Sequence, residues 1–161
     1  MKKALFLDRD GVINIDRGYV GKIEDFEFVD GVLDLLYEAQ KRGYIPIVVT
    51  NQSGIGRGYY SGEDFEKLTL WMVRKMSERG IMIDRSHIFF CPHRPDEGCE
   101  CRKPMPGMFR EAQQRFGIDM AASWMIGDKP GDIEAAERAG VGHTYLTERN
   151  RRIDIKELHG L

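Results

Sequence analysis

Aspartates stand in pairs at two places in this 161-residue chain: Asp8 and Asp10 follow the apolar run Ala4-Leu5-Phe6-Leu7, and Asp128 and Asp132 follow Trp124-Met125-Ile126-Gly127. Side chains two residues apart on a continuing strand point the same way, and Gly11 lets the backbone turn tightly behind Asp8 and Asp10. Carboxylates gathered at neighbouring strand tips repel by on the order of a few kcal/mol, so a cation is expected among them. Oxygen ligands and a small, partly hydrated site favour Mg²⁺. Any one of these aspartates alone is more often a cap for a turn or helix; a set of four is harder to assign to capping.

Two further segments suit a phosphoryl group. Thr50-Asn51-Gln52-Ser53-Gly54-Ile55-Gly56-Arg57-Gly58 is rich in hydroxyl, amide and backbone donors, which can cradle an anion, although such residues are common in any turn. Arg102-Lys103-Pro104 adds a bidentate fork and a point charge. Carboxylates with a metal, a donor loop and a lysine together describe phosphoryl transfer, where catalysis is mostly positioning and charge neutralisation.

All three cysteines fall in one loop, Cys91-Pro92-His93 followed by Cys99-Glu100-Cys101. Disulfides are disfavoured in a reducing cytosol, whereas three cysteines and a histidine at short spacing make a closed tetrahedral set for structural Zn²⁺. The loop has almost no apolar residues to fold around, so a metal would supply its ordering energy and fix Arg102 and Lys103 beyond it. Trp71, Met72 and Met76 at helical spacing read as core. His87, His143 and His159 lack an adjacent ligand set, and Arg149, Arg151 and Arg152 beside Glu148 and Asp154 read as a solvated tail.

The elements that must position these groups alternate. Residues 4–7, 45–49, 87–90, 124–126 and 143–146 are short apolar or β-prone runs that read as five buried strands, and residues 32–42, 65–76, 109–116 and 133–139 show helical spacing. Ser61 with Asp64 forms a capping box, Pro106 suits a first turn, and Gly43, Gly80, Gly117 and Gly140 stand where helices stop. The alternation predicts an α/β fold, a Rossmann-like parallel sheet of about five strands with helices on both faces, as a single domain over 1–161 with a zinc-binding loop at 91–101. Ligands of such sheets bind beyond the carboxyl ends of the strands, which selects the loops at 8–20, 50–60, 91–106 and 127–132.

Composition narrows the classes. With 24 basic and 26 acidic residues, 31% charged and 42% hydrophobic, the chain is an ordinary globule without the basic stripe a nucleic-acid binder needs. No stretch is long and apolar enough for a membrane span or signal core, which predicts a cytoplasmic protein with no membrane partner.

Asp8-Arg9-Asp10-Gly11-Val12, Thr50, Lys103 and Gly127-Asp128 with Asp132 resemble, in order, the four motifs of the haloacid dehalogenase superfamily. The resemblance implies a capless, open phosphatase. In it Asp8 is the nucleophile forming an aspartyl-phosphate, Asp10 is the acid and base, and Thr50 and Lys103 hold the phosphoryl oxygens. Asp8, the Asp10 carbonyl and Asp128 would ligate Mg²⁺; Lys129 either offers its carbonyl to the metal, pairs with Asp8, or starts a helix in solvent. The Cys91, His93, Cys99, Cys101 loop followed by Arg102-Lys103-Pro104 is similar to the zinc-containing phosphatases of histidinol phosphate and heptose bisphosphate. Asp16-Arg17-Gly18-Tyr19-Val20 and the Thr50 to Gly58 loop resemble the heptose branch. That branch implies removal of the C7 phosphate of D-glycero-D-manno-heptose 1,7-bisphosphate, in nucleotide-heptose and lipopolysaccharide biosynthesis, by a chain able to work as a monomer. Substrate contacts would come from Asp16, Arg17, Gly18, Tyr19, Thr50, Asn51, Gln52, Ser53 and Lys103, with Arg102 gripping the phosphate that is not cleaved. A histidinol-phosphate phosphatase is the alternative within the group, and a non-catalytic zinc-stabilised binding module the alternative of another class.

Overall fold

The computed structural model describes residues 1–161. Strands β1 (Lys3–Leu7), β2 (Tyr44–Asn51), β3 (Ile88–Cys91), β4 (Trp124–Gly127) and β5 (His143–Leu146) form one sheet in the order β3-β2-β1-β4-β5, every pair parallel. Helices α1 (Val32–Lys41), α2 (Ser53–Gly56), α3 (Gly62–Glu78), α4 (Gly107–Phe116) and α5 (Pro130–Arg138) connect them. This is the α/β architecture expected from the alternation.

The two-residue period of a strand explains why the runs are apolar throughout. In β1, Leu5 and Leu7 enter one core with α1 and α3, while Ala4 and Phe6 enter the other with α4 and α5. Val48 joins the first core, Ile47 and Val49 the second. Phe6 meets Phe109 of α4 at 4.9 Å, and Phe65 of α3 meets Phe90 at 4.3 Å. Met72 and Met76 are buried, and Trp71 packs on Phe26 and Phe28.

The capping box of Ser61 and Asp64 opens α3, and Gly117 ends α4 in the left-handed conformation at φ +66°. Three expectations need correction, and one short helix is added. β5 is a sheet edge rather than a buried strand, because β4 is its only neighbour; Leu146 is 53% exposed. β3 starts at Ile88, since His87 turns back and its Nδ1 accepts the Asp84 N–H at 3.1 Å. Pro106 precedes α4 rather than lying in its first turn. The four-residue helix α2 is too short to carry a period. Arg149, Arg151 and Arg152 are exposed as expected, but Arg151 pairs with Glu157 at 2.6 Å and Arg152 with Asp30 at 3.2 Å. No helix is long and apolar enough to cross a membrane.

β1 is central, with β2 and β4 on either side. The loops leaving β1, β2, β3 and β4 therefore meet at one edge of the sheet, where the chemistry-bearing residues lie.

Candidate active site

At the tip of β1 the Asp8 N–H donates to the Ile126 carbonyl, which ties the residue to the neighbouring strand and buries its carboxylate. Carboxylate oxygens of Asp8, Asp128 and Asp132 lie within 4.8 Å of one another. Lys103 is also buried; its Nζ is 2.9 Å from Asp8 Oδ1 and 2.7 Å from Asp132 Oδ1, and it donates to the Val49 carbonyl. Three carboxylates against one ammonium leave the cluster short of positive charge. Burial pushes Asp8 up to about 8, opposed by Lys103 and reinforced by Asp132, Asp128 and Asp10. Burial also opposes the charge on Lys103, but Asp8 and Asp132 outweigh it and hold the ammonium above the usual lysine value. Asp128 is raised by burial, and its Oδ1 is buried without any hydrogen-bond partner. An orphaned carboxylate oxygen in an all-oxygen set fits a hard divalent cation. Gly11 makes the convergence possible: at φ +93°, a Cβ there would lie 2.3 Å from Asp128 Oδ2.

Asp10 sits in a cradle of donors. Its Oδ1 accepts from Arg9 Nη2 at 2.8 Å and Asn14 Nδ2 at 3.0 Å, and its Oδ2 from Gln52 Nε2 at 2.9 Å. The same Gln52 nitrogen donates to Thr50 Oγ1 at 2.8 Å, and the Tyr60 hydroxyl donates to Gln52 Oε1. Burial pushes Tyr60 up to about 12, keeping it a neutral donor. Arg9 is only 2% exposed; its Nη2 also donates to the Val20 carbonyl, and Phe26 lies 6.0 Å below it.

Above these groups opens a cavity of about 450 Å³ with only two hydrophobic residues in its lining. Asp10, Asp16, Gly18, Tyr19, Asn51, Gln52, Ser53, Arg102, Lys103 and Lys129 line it, joined by Arg57, Tyr60 and Asp132. Thr50 lies fully buried behind Gln52. Arg17 falls outside the lining, because its guanidinium turns to Glu27 at 2.7 Å. Lys129 precedes α5 and makes no ion pair with Asp8, whose cation is Lys103. Asn51 clamps Lys103 from both sides, accepting its N–H at 3.0 Å and donating to its carbonyl at 3.2 Å.

The cysteine loop packs beside this edge. Cys101 Sγ lies 2.9 Å from Cys91 Sγ and 3.3 Å from His93 Nδ1, and Cys91 Sγ lies 3.5 Å from Cys99 Sγ. All four ligand atoms fall within 4.8 Å, the compactness a tetrahedral Zn²⁺ requires. Burial pushes the Cys91 thiol up; desolvation also opposes the Cys99 thiolate, but the Arg102 N–H and neighbouring thiols hold it down to about 7. The loop also anchors the donor loop, since Gln52 N–H donates to the Cys91 carbonyl and Gly56 N–H to that of Pro92.

Comparison with known proteins agrees with this geometry. Residues 100–155 match the Hydrolase_like family, described as HAD-hydrolase-like. The D-glycero-beta-D-manno-heptose-1,7-bisphosphate 7-phosphatase of Photorhabdus laumondii is 48% identical over 160 residues, covering 95% of this chain and 84% of that protein. The chain belongs to this phosphatase family, within the haloacid dehalogenase superfamily. The Yersinia pestis member is 47% identical, over 93% of this chain and 82% of its own length. Among solved structures, D,D-heptose 1,7-bisphosphate phosphatase from B. bronchiseptica, complexed with magnesium and phosphate, superposes with a TM-score of 0.82 at 35% identity, covering 89% of this chain and 79% of that one. The Burkholderia thailandensis heptose phosphatase gives 0.62 at 30% identity, over 86% and 74%.

Sequence reasoning missed three residues of this phosphatase site. Arg9 stands between two aspartates, where a charged residue usually faces water, and no local pattern announces that it turns inward. Asn14, four residues after Asp10, is a weak signal for a partner of that carboxylate. Tyr60 reaches Gln52 only because α2 folds the loop back, as Gly54 shows: a Cβ there would lie 2.3 Å from the Tyr60 ring.

Proposed function

We propose that the protein removes the C7 phosphate of D-glycero-β-D-manno-heptose 1,7-bisphosphate, with Mg²⁺ at Asp8, Asp128 and the Asp10 carbonyl. The observation that carries the reading is the buried set of Asp8, Asp128, Asp132 and Lys103, with one carboxylate oxygen unpartnered. The names of relatives up to 48% identical supply the substrate, and the B. bronchiseptica enzyme, solved with magnesium and phosphate, supports the metal. Bound there, Mg²⁺ neutralises the gathered carboxylates and the phosphoryl charge. The chain's residues do the rest. Asp8 Oδ1 is held by the Arg9 N–H and Lys103. The Asp8 carboxylate attacks phosphorus, the bond from phosphorus to the C7 oxygen breaks, and Asp10 protonates that oxygen. Asp10 then takes a proton from water, whose oxygen displaces Asp8 from phosphorus and releases inorganic phosphate. Thr50 and Lys103 hold the phosphoryl oxygens, Arg102 takes the retained C1 phosphate, and Asp16, Tyr19 and Ser53 meet sugar hydroxyls.

Zn²⁺ at Cys91, His93, Cys99 and Cys101 is structural and fixes Arg102 and Lys103. Three unpaired thiols so close together suit a reducing cytoplasm. Phosphorus NMR of the reaction tests the reading: the C7 signal should disappear with the C1 signal intact, whereas loss of the C1 signal first would overturn it.

A further inference from the structure

The segment after β5 is packed, with Ile153 and Leu158 in the core. At its head Asn150 takes the left-handed backbone conformation, φ +63°. Asparagine visits that region more readily than most side chains, though at a cost. Two bonds accompany it: the Asn150 N–H donates to the Gly11 carbonyl at 2.8 Å, and Asn150 Oδ1 accepts from the Asp16 N–H at 2.8 Å. Tyr19, at φ +53°, is the only other non-glycine residue with positive φ, and the two are linked. Asp16 Oδ1 accepts from the Gly18 N–H at 2.9 Å, which closes a turn and sets Tyr19 at the cavity mouth. There the Tyr19 ring meets Tyr59 edge-on at 4.8 Å, and the Arg57 guanidinium lies over the Tyr19 ring at 5.7 Å. Arg149 adds only a 3.8 Å approach to Asp16.

We propose that Asn150 is a positioning residue for sugar recognition. Its side-chain acceptor fixes Asp16, the Asp16–Gly18 turn sets Tyr19, and Tyr19 with Arg57 and Tyr59 forms the rim that closes on the sugar. The inference rests on the cavity being a sugar-phosphate site. The reacting end does not depend on this acceptor, because Asp8 is tied to Ile126 of β4, Lys103 to Val49 of β2, and Asp132 to Lys103 and the Asp128 and Lys129 N–H groups.

Asn150→Gly keeps the left-handed backbone and the N–H to Gly11 but removes the acceptor; Asn150→Asp keeps an acceptor oxygen in place. With Mg²⁺, Asn150→Gly should raise KM for heptose 1,7-bisphosphate about tenfold and change kcat less than about twofold. It should leave kcat/KM for p-nitrophenyl phosphate, which carries no sugar, unchanged, and Asn150→Asp should restore KM. Amide exchange of residues 16–19 should quicken in Asn150→Gly with the strands still protected. An unchanged KM overturns the proposal, and so do equal losses on both substrates, which would make Asn150 a support of the reacting carboxylates. Should Asn150→Gly lose strand protection, Asn150→Ser, whose hydroxyl is too short to reach Asp16, takes its place under the same criteria. If the wild type itself shows no preference for the heptose over the aryl phosphate, the substrate reading fails, while amide exchange still decides whether Asn150 orders the rim.

Discussion

Asp8 is pulled two ways, by burial among three other carboxylates and by a lysine at 2.9 Å. Because burial wins, the folded protein without metal retains a proton that the unfolded chain loses above 3.8. Between that value and about 8 the folded state binds more protons, so its stability falls as pH rises through this window. Mg²⁺ held at the proposed site would favour the ionised carboxylate and remove the penalty. Thermal melts with chelator should therefore decline in Tm across this range, and melts with Mg²⁺ or of Asp8→Asn should stay flatter; parallel curves would contradict the assignment. Asp8→Asn should also lower turnover at least about 10³-fold without loss of fold, read by phosphate release and circular dichroism. Tyr60→Phe leaves the ring in place but deprives Gln52 Oε1 of its buried donor. It should cost about 1 to 3 kcal/mol of stability in denaturant titrations and lower kcat more than it raises KM. Asp8, Asp10 and Asp128 were legible because they follow strand ends, Thr50 because it stands at the end of β2 and Lys103 because it stands in the loop after β3, all in a recognisable order. Arg9 and Tyr60 were not, because their partners, the Val20 carbonyl and Gln52, depend on how two loops fold.

The strands were legible as elements because a parallel strand covered on both faces must be apolar at every position, as Ala4 to Leu7 is. The exposure of β5 was not, since its residues have β-prone types and its place at the sheet edge is decided by strand order alone. The cysteine loop was legible from spacing, and its packing explains why it matters: it carries Lys103 and anchors the donor loop through Cys91 and Pro92. Cys99→Ser should therefore lower zinc content, thermal stability and phosphate release together, measured by metal analysis, melting and assay on one preparation. Unchanged zinc content would refute the four-ligand site. Gly11→Ala would need to displace Asp128 Oδ2 from 2.3 Å and hold φ +93°. It should weaken the Mg²⁺ dependence of activity, seen as a higher Mg²⁺ concentration for half-maximal rate.

On the scale of the whole molecule, one sheet edge collects the buried carboxylates, the lysine that follows the cysteine loop, and a polar cavity of about 450 Å³ open to small solutes. Asp16, Tyr19, Arg57 and Arg102 line its rim, and on the proposed reading specificity comes from them. On that reading the reacting end would serve any phosphate monoester, and the rim would separate a heptose bisphosphate from histidinol phosphate. The deciding measurement is kcat/KM with Mg²⁺ for the β anomer of heptose 1,7-bisphosphate against histidinol phosphate under identical conditions. A preference for the heptose of at least about tenfold, about 1.4 kcal/mol of differential transition-state binding, is the predicted result; equal rates, or a preference for histidinol phosphate, would contradict it.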